Sequence, residues 1–298
     1  MRLLITGAWK EAGKYIPLIE KQGHSVAFMQ QESDKLPCSY SWAEGVICNG
    51  LFLHHDISEF VNLKYIQLTS AGMDRVPVDY ITENNIELYN ARGVYSVPMA
   101  EHAVSAILNI FRSSRFFFEN QAEHIWKKKR DLRELCGSTV CVIGCGSVGT
   151  ECAKRFSAFG CTLTGVDIKP FDSSYFSTIY GFADIKEAIS KADVIVLTLP
   201  LSEKTESLVD EAFLSCLKQD CVLVNISRGK IIDTDALTDA LSKHKISAAL
   251  DVFEDEPLAE DSPLWSMENV IITPHNSFVG DRNDRRLSDL IIQGLIDK

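Results

Sequence analysis

The sequence predicts an α/β protein built from two doubly wound, parallel sheets. Three observations carry that expectation. Short apolar runs alternate with helical periodicities along the chain. A glycine-rich stretch, GCGSVG at 144–149, joins one such run to an amphipathic helix. Polar residues collect at the ends of several expected strands, where open α/β sheets bind ligands.

In the first third, buried strands are expected at 2–6, 25–29, 45–48, 64–68 and 86–89, with a helix at 11–21. A long helix is expected at 98–117, where Val104, Ile107, Ile110 and Phe111 recur at helical spacing and Ser96 and Pro98 provide a start signal. A second series follows a charged connector. Its strands are expected at 139–143, 162–166, 193–198, 221–225, 247–251 and 270–272. Helices are expected between them at 147–159, 184–190, 210–217 and 234–243, and a last one at 285–296. Six strands with intervening helices imply a parallel, doubly wound sheet. The reading gives one domain at 1–97 plus 280–298 and a second at 98–279.

Composition bounds the function. The 298 residues carry a net charge of −11, which argues against a nucleic-acid binder while leaving room for a locally basic pocket. The only dense basic run, Lys127 to Arg130, reads as a solvated face. No apolar run reaches membrane-spanning length, and the N-terminus has too short an apolar stretch for a secretory signal. None of the five cysteines between Cys136 and Cys161 forms a C-x-x-C pair, which disfavours zinc and thioredoxin-type chemistry. The expectation is a reduced, cytoplasmic protein with no metal site.

The glycine stretch has a specific physical reading. Gly144 permits a tight turn, Gly146 lets a pyrophosphate approach the backbone, and Gly149 lets helix and strand pack closely. Free N–H groups at the helix start, from Ser147, Val148 and Gly149, meet the phosphates. Asp167, at the end of the next strand, is placed to accept both ribose hydroxyls and to repel a 2′-phosphate. NAD is therefore the expected cofactor.

Other strand ends carry Thr198 and Pro200, then Arg228, then Asp251 with Glu256 shortly beyond, then His275. Singly each has a structural explanation: a surface cation, a helix cap, a solvated acidic loop, a loop histidine. Jointly they suit reduction of a 2-oxo acid. An imidazolium can protonate the carbonyl oxygen. A carboxylate beside it holds its tautomer, and an arginine can bind the substrate carboxylate through its fork. These roles fall to His275, Glu256 and Arg228.

GCGSVG with Asp167, TLPLSEKT, VNISRGKIID, ALDVFEDEPL and TPHN together resemble the D-isomer-specific 2-hydroxyacid dehydrogenases. The resemblance implies a Rossmann NAD-binding domain inserted in a flavodoxin-like substrate domain. It also implies reversible hydride transfer between NADH and a small 2-oxo acid of the glyoxylate, hydroxypyruvate or pyruvate type. The family's arginine, glutamate and histidine fall on Arg228, Glu256 and His275, and its nicotinamide-amide ligand on Asp251. The backbone of Ser70, Ala71 and Gly72 would receive the substrate carboxylate, as an anion nest can. A homodimer through the nucleotide domain is implied as well. Arg92 and Tyr95 stand where smaller or amide residues are common, and Cys145 inside the glycine stretch is unusual. The short stretch after the last helix argues against a large, serine-regulated phosphoglycerate dehydrogenase. A short phosphoglycerate dehydrogenase and an NAD(H)-binding corepressor-like protein stay open as alternatives.

Overall fold

The structure, a computed structural model, describes residues 1–243 and 245–296. The chain divides into two compact units, Met1–Tyr95 with Gly280–Lys298, and Ser96–Val279. The last two residues of the expected 280–298 segment lie outside the described residues.

The first unit holds one parallel sheet. Its strands are β1 (Arg2–Thr6), β2 (Ser25–Met29), β3 (Gly45–Cys48), β4 (Tyr65–Leu68) and β5 (Glu87–Tyr89), in spatial order β2-β1-β3-β4-β5. Successive strand residues point to opposite faces, and here both faces are apolar. Leu3 and Ile5 pack on one side with Trp9, Ile19 and Ile47. Leu4, Val46, Ile66 and Leu68 pack on the other with Ile57 and Phe60. The C-terminal helix Asn283–Ile296 closes the first face with Leu287, Ile291 and Leu295, and Ser288 accepts the indole N–H of Trp9 at 2.9 Å. This is the return to the first unit that the sequence suggested. A short helix, Val78–Glu83, was not foreseen; at six residues it shows too little periodicity.

The second unit carries a seven-stranded sheet. β6 (Thr139–Ile143), β7 (Thr162–Val166), β8 (Thr178–Tyr180), β9 (Val194–Leu197), β10 (Cys221–Asn225), β11 (Ile246–Leu250) and β12 (Val270–Ile272) lie in the order β12-β11-β10-β9-β6-β7-β8, all parallel. The sequence predicts six strands; the seventh, β8, is a three-residue edge strand without alternation to betray it. Helices cover both faces. The expected fold class, two doubly wound α/β units, is what the chain adopts.

The expected single helix at 98–117 is two helices, Ser96–Phe111 and Ser114–Ala122. Ser113 adopts φ 51 and breaks the run. The first of them buries Ala100, Ala103, Val104, Ile107 and Phe111 against Val140, Val142 and the glycine-loop helix Ser147–Ala158. That helix ends at Gly160, whose φ of +76 is the left-handed C-terminal stop anticipated there. Among the described residues no helix is long and apolar enough to cross a membrane.

Candidate active site

The order of the second sheet reverses at β6, which has β9 on one side and β7 on the other. Ligands bind beyond the carboxyl ends of strands at such a point. Thr198, just after β9, donates its hydroxyl to the carbonyl of Gly144 at 2.6 Å and so joins the two strand ends. Gly144 has φ +97, and a Cβ there would lie 2.7 Å from the Leu199 nitrogen. A Cβ on Gly149 would lie 2.2 Å from the Gly144 oxygen, so close packing forces that glycine.

Gly146 is different. Its φ of −71 suits any residue, and a Cβ there would meet nothing within 4 Å. The protein's own packing does not require glycine at this position, and the bare backbone leaves room for a ligand to approach. The helix that begins at Ser147 has no side-chain cap, which leaves first-turn N–H groups of Ser147, Val148 and Gly149 open to an anion. Asp167, half-buried, accepts from the Cys145 N–H through Oδ2 at 2.8 Å, while Oδ1 takes only a long contact of 3.3 Å from Lys169 N. These residues fit a dinucleotide: a bare helix N-terminus, an open glycine and a carboxylate one strand away.

Cys145 takes no part in that surface. Its thiol points inward, packs against Gly165 and is 3% exposed. Burial, then the neighbouring Asp167 carboxylate, pushes its pKa up to about 12. The thiol is a packing element of the glycine turn.

Farther along the sheet, Asn225 ends β10 fully buried. Its Oδ1 accepts from Ser227 N at 3.0 Å and Ser227 Oγ at 2.8 Å, and its Nδ2 donates to the Arg228 carbonyl at 2.9 Å. This one carboxamide moulds the turn that presents the half-buried Arg228. Gly229 follows, and a Cβ there would sit 1.8 Å from the Phe253 carbonyl carbon. The loop that leads to Glu256 therefore lies directly on the arginine turn. Glu254 anchors the same loop, accepting from Thr234 N at 2.8 Å and Thr234 Oγ1 at 2.6 Å. Neither Asn225 nor Gly229 nor Glu254 was singled out from sequence as a site determinant; VNISRG carried the signal for the first two.

His275 follows β12 with φ 50, a left-handed conformation uncommon outside glycine. Its Nδ1 lies 2.8 Å from Glu256 Oε2, and the side chains are 42% and 37% exposed. Glu256 Oε1 accepts from Phe253 N at 3.1 Å. A carboxylate can only accept, so Nδ1 carries the proton and Nε2 remains for proton exchange with a ligand. Phe278 supports the ring edge-on, with centroids 5.8 Å apart.

Asp251 is buried, at 1% exposure. Oδ1 accepts from Thr273 Oγ1 at 2.5 Å and Asn276 N at 2.8 Å, Oδ2 from Ser277 N at 2.9 Å, and its carbonyl from His275 N at 2.7 Å. Three of its roughly four carboxylate acceptor positions are thus spent on folding the histidine turn, and one on Oδ2 remains.

In the first unit, β4 runs into Thr69-Ser70-Ala71-Gly72. Every carbonyl of this loop is engaged: Thr69 by the Tyr95 hydroxyl, Ser70 by Ala91 N at 2.9 Å, Ala71 by Asn90 Nδ2 at 2.7 Å and Gly72 by Ser70 Oγ at 2.9 Å. Among the described residues the amides of Ser70, Ala71 and Gly72 donate to nothing in the chain. Held carbonyls and open amides leave this loop able to receive an acceptor.

Pro200, the remaining strand-end residue, is exposed, and its carbonyl accepts from Thr205 Oγ1 at 2.8 Å. Residues 104–277 match the family described as D-isomer specific 2-hydroxyacid dehydrogenase, NAD binding domain. The chain belongs to that family. Its second unit carries the family's NAD-binding domain. It is 35% identical to a D-3-phosphoglycerate dehydrogenase of Methanocaldococcus jannaschii over 77% of this chain and 44% of that protein. It is 31% identical to a glyoxylate reductase of Thermofilum pendens over 79% of this chain and 71% of that one. The chain thus spans less than half the length of the first of these relatives. A crystal structure of a D-isomer specific 2-hydroxyacid dehydrogenase family protein from Aeromonas salmonicida subsp. salmonicida superposes with TM-score 0.80 at 27% identity, covering 100% of this chain and 96% of that one.

Proposed function

We propose that the protein catalyses reversible, NAD-dependent reduction of a small 2-oxo acid, of the glyoxylate, hydroxypyruvate or pyruvate type, to its D-2-hydroxy acid. The observation that carries this reading is the 2.8 Å pair of His275 and Glu256 at a strand end of the nucleotide-binding sheet. NADH, when bound, supplies the hydride that the carbonyl carbon accepts. His275 gives the Nε2 proton of its imidazolium to the carbonyl oxygen as the hydroxyl forms, and takes it back in the reverse direction. Glu256 holds Nδ1–H throughout and balances the positive charge of the protonated ring. Arg228 binds the substrate's carboxylate and carbonyl oxygens through its guanidinium.

For cofactor binding, the Ser147, Val148 and Gly149 amides meet the pyrophosphate over Gly146, and Gly144 makes the turn that brings them there. Asp167 accepts the ribose hydroxyls. Thr198 and Pro200 border the same switch point. Asp251 offers its remaining Oδ2 acceptor to the nicotinamide amide. In the first unit, the open amides of Ser70, Ala71 and Gly72 receive a carboxylate.

The substrate range rests on relatives of two kinds, a glyoxylate reductase and phosphoglycerate dehydrogenases. Steady-state rates on a panel of 2-oxo acids, with NADH and NADPH side by side, test it. The expected result is turnover of at least one small 2-oxo acid with NADH preferred. No turnover on the panel, with NADH bound, would remove the proposal. We propose a homodimer as well, supported by the open groove that Val104, Leu108, Arg112, Arg155 and Phe159 line in the second unit, and by Trp126, which is 96% exposed. Light scattering reads that directly.

A further inference from the structure

A hydrogen-bond chain reaches the histidine turn from the first helix of the second unit. His102 Nε2 lies 3.2 Å from Thr273 Oγ1, and Thr273 Oγ1 lies 2.5 Å from Asp251 Oδ1. The directions follow from proton counting. The Asp251 carboxylate accepts, so the single hydroxyl proton of Thr273 goes to Oδ1. Thr273 Oγ1 then has only lone pairs to offer His102, and Nε2 must carry the proton. The chain runs His102 N–H to Thr273 O–H to Asp251.

Asp251 ends that chain and begins the next. Its two oxygens hold the amides of Asn276 and Ser277, and its carbonyl holds the amide of His275. Those three amides fix the turn in which His275 takes its left-handed φ of 50, and with it the direction of the ring toward Glu256. Without a donor on its outer side, the Thr273 hydroxyl is free to rotate away from Asp251, and the carboxylate loses one of the contacts that orient it.

We propose that His102 is a positioning residue for His275, acting through Thr273 and Asp251. The proposal rests on the reading of His275 as the acid–base group. Its N–H donor is what matters; its charge is not required. The link is between residues 102 and 275 of one unit, and it predicts that a change on the helix is felt in an imidazole it does not touch.

The test uses the full chain in His102→Ala, His102→Gln, Thr273→Val and the double variant His102→Ala with Thr273→Val. Nitrogen-15 histidine spectra of the protein without substrate follow the His275 ring, assigned with a His275→Asn variant. NADH fluorescence titration gives the cofactor Kd, and steady-state rates give kcat and KM. In His102→Ala the His275 ring signals should move and kcat should fall about tenfold, with cofactor Kd within about twofold. Gln, which keeps an N–H near the same place, should restore both. In the Thr273→Val background, His102→Ala should change nothing further. Unchanged His275 signals in His102→Ala overturn the proposal, and so does a full additional loss in the double variant. If His102→Ala does not fold, the near-isosteric Thr273→Val with His102→Gln still decides: Gln must have no effect once the hydroxyl is gone. A wild-type protein that turns over no 2-oxo acid defeats the functional reading, while the ring signals still decide the link.

Discussion

His275 Nδ1 and Glu256 Oε2 meet at 2.8 Å although they stand 19 positions apart in the chain. Two turns bring this about. Asp251 gathers the amides of residues 275–277, and Gly229 lets the loop before Glu256 settle on the arginine turn. The pair is therefore a product of strand-end packing.

Glu256→Gln should keep the fold, because the side chain is half in solvent, and lower kcat by roughly ten- to a hundredfold, within the range for acid–base assistance. The amide can hold Nδ1–H through its oxygen but cannot balance an imidazolium. Turnover of a 2-oxo acid against pH, with binding of NADH as control, checks it.

Arg228→Lys keeps the charge and removes the fork. kcat/KM for the oxo acid should drop by about tenfold or more, with KM carrying much of it, because a bidentate carboxylate site does not treat the two cations alike. An unaltered kcat/KM would show that Arg228 does not hold the substrate.

Tyr95→Phe removes the hydroxyl that holds the Thr69 carbonyl. If the open amides of Ser70 to Gly72 receive a carboxylate, KM for the oxo acid should rise several-fold while the Kd of NADH stays put. The Tyr95 hydroxyl thus holds the loop from which those amides project.

Of the five buried thiols, those of Cys141, Cys145, Cys152 and Cys221 each have a pKa pushed up to about 12, and that of Cys48 is raised as well, in every case first by burial. The folded state keeps protons that unfolded thiols release above about pH 9, so stability should fall as pH rises through that range. Thermal melts between about pH 8 and 10.5 should show Tm declining. Iodoacetamide on the native protein should spare Cys145 and modify the exposed Cys136, with Cys145 labelled only after denaturation.

Much of this was legible in the chain. Strand runs such as 139–143 and 221–225 are apolar apart from Thr139 and Asn225 at one end of each, because both faces of a parallel sheet are covered, and their ends match the expected ones to the residue. GCGSVG declared its turn because Gly144 and Gly149 cannot be replaced without backbone collision. What was hidden depends on three-dimensional neighbours. The break at Ser113 is one residue's dihedral inside an amphipathic pattern. Asn225, Thr273 and Gly229 shape the site through hydrogen bonds and contacts that no spacing rule encodes. Asp251 was read as a ligand-facing strand end, and its three internal donors became visible only with the folded turn.

The central claim is that His275 exchanges the proton while NADH supplies the hydride. NADH oxidation at saturating 2-oxo acid, in wild type and His275→Ala, tests it most directly. The account predicts turnover in wild type and a loss of about a hundredfold or more in kcat in the variant, with the Kd of NADH unchanged. Equal kcat in the two proteins would contradict it.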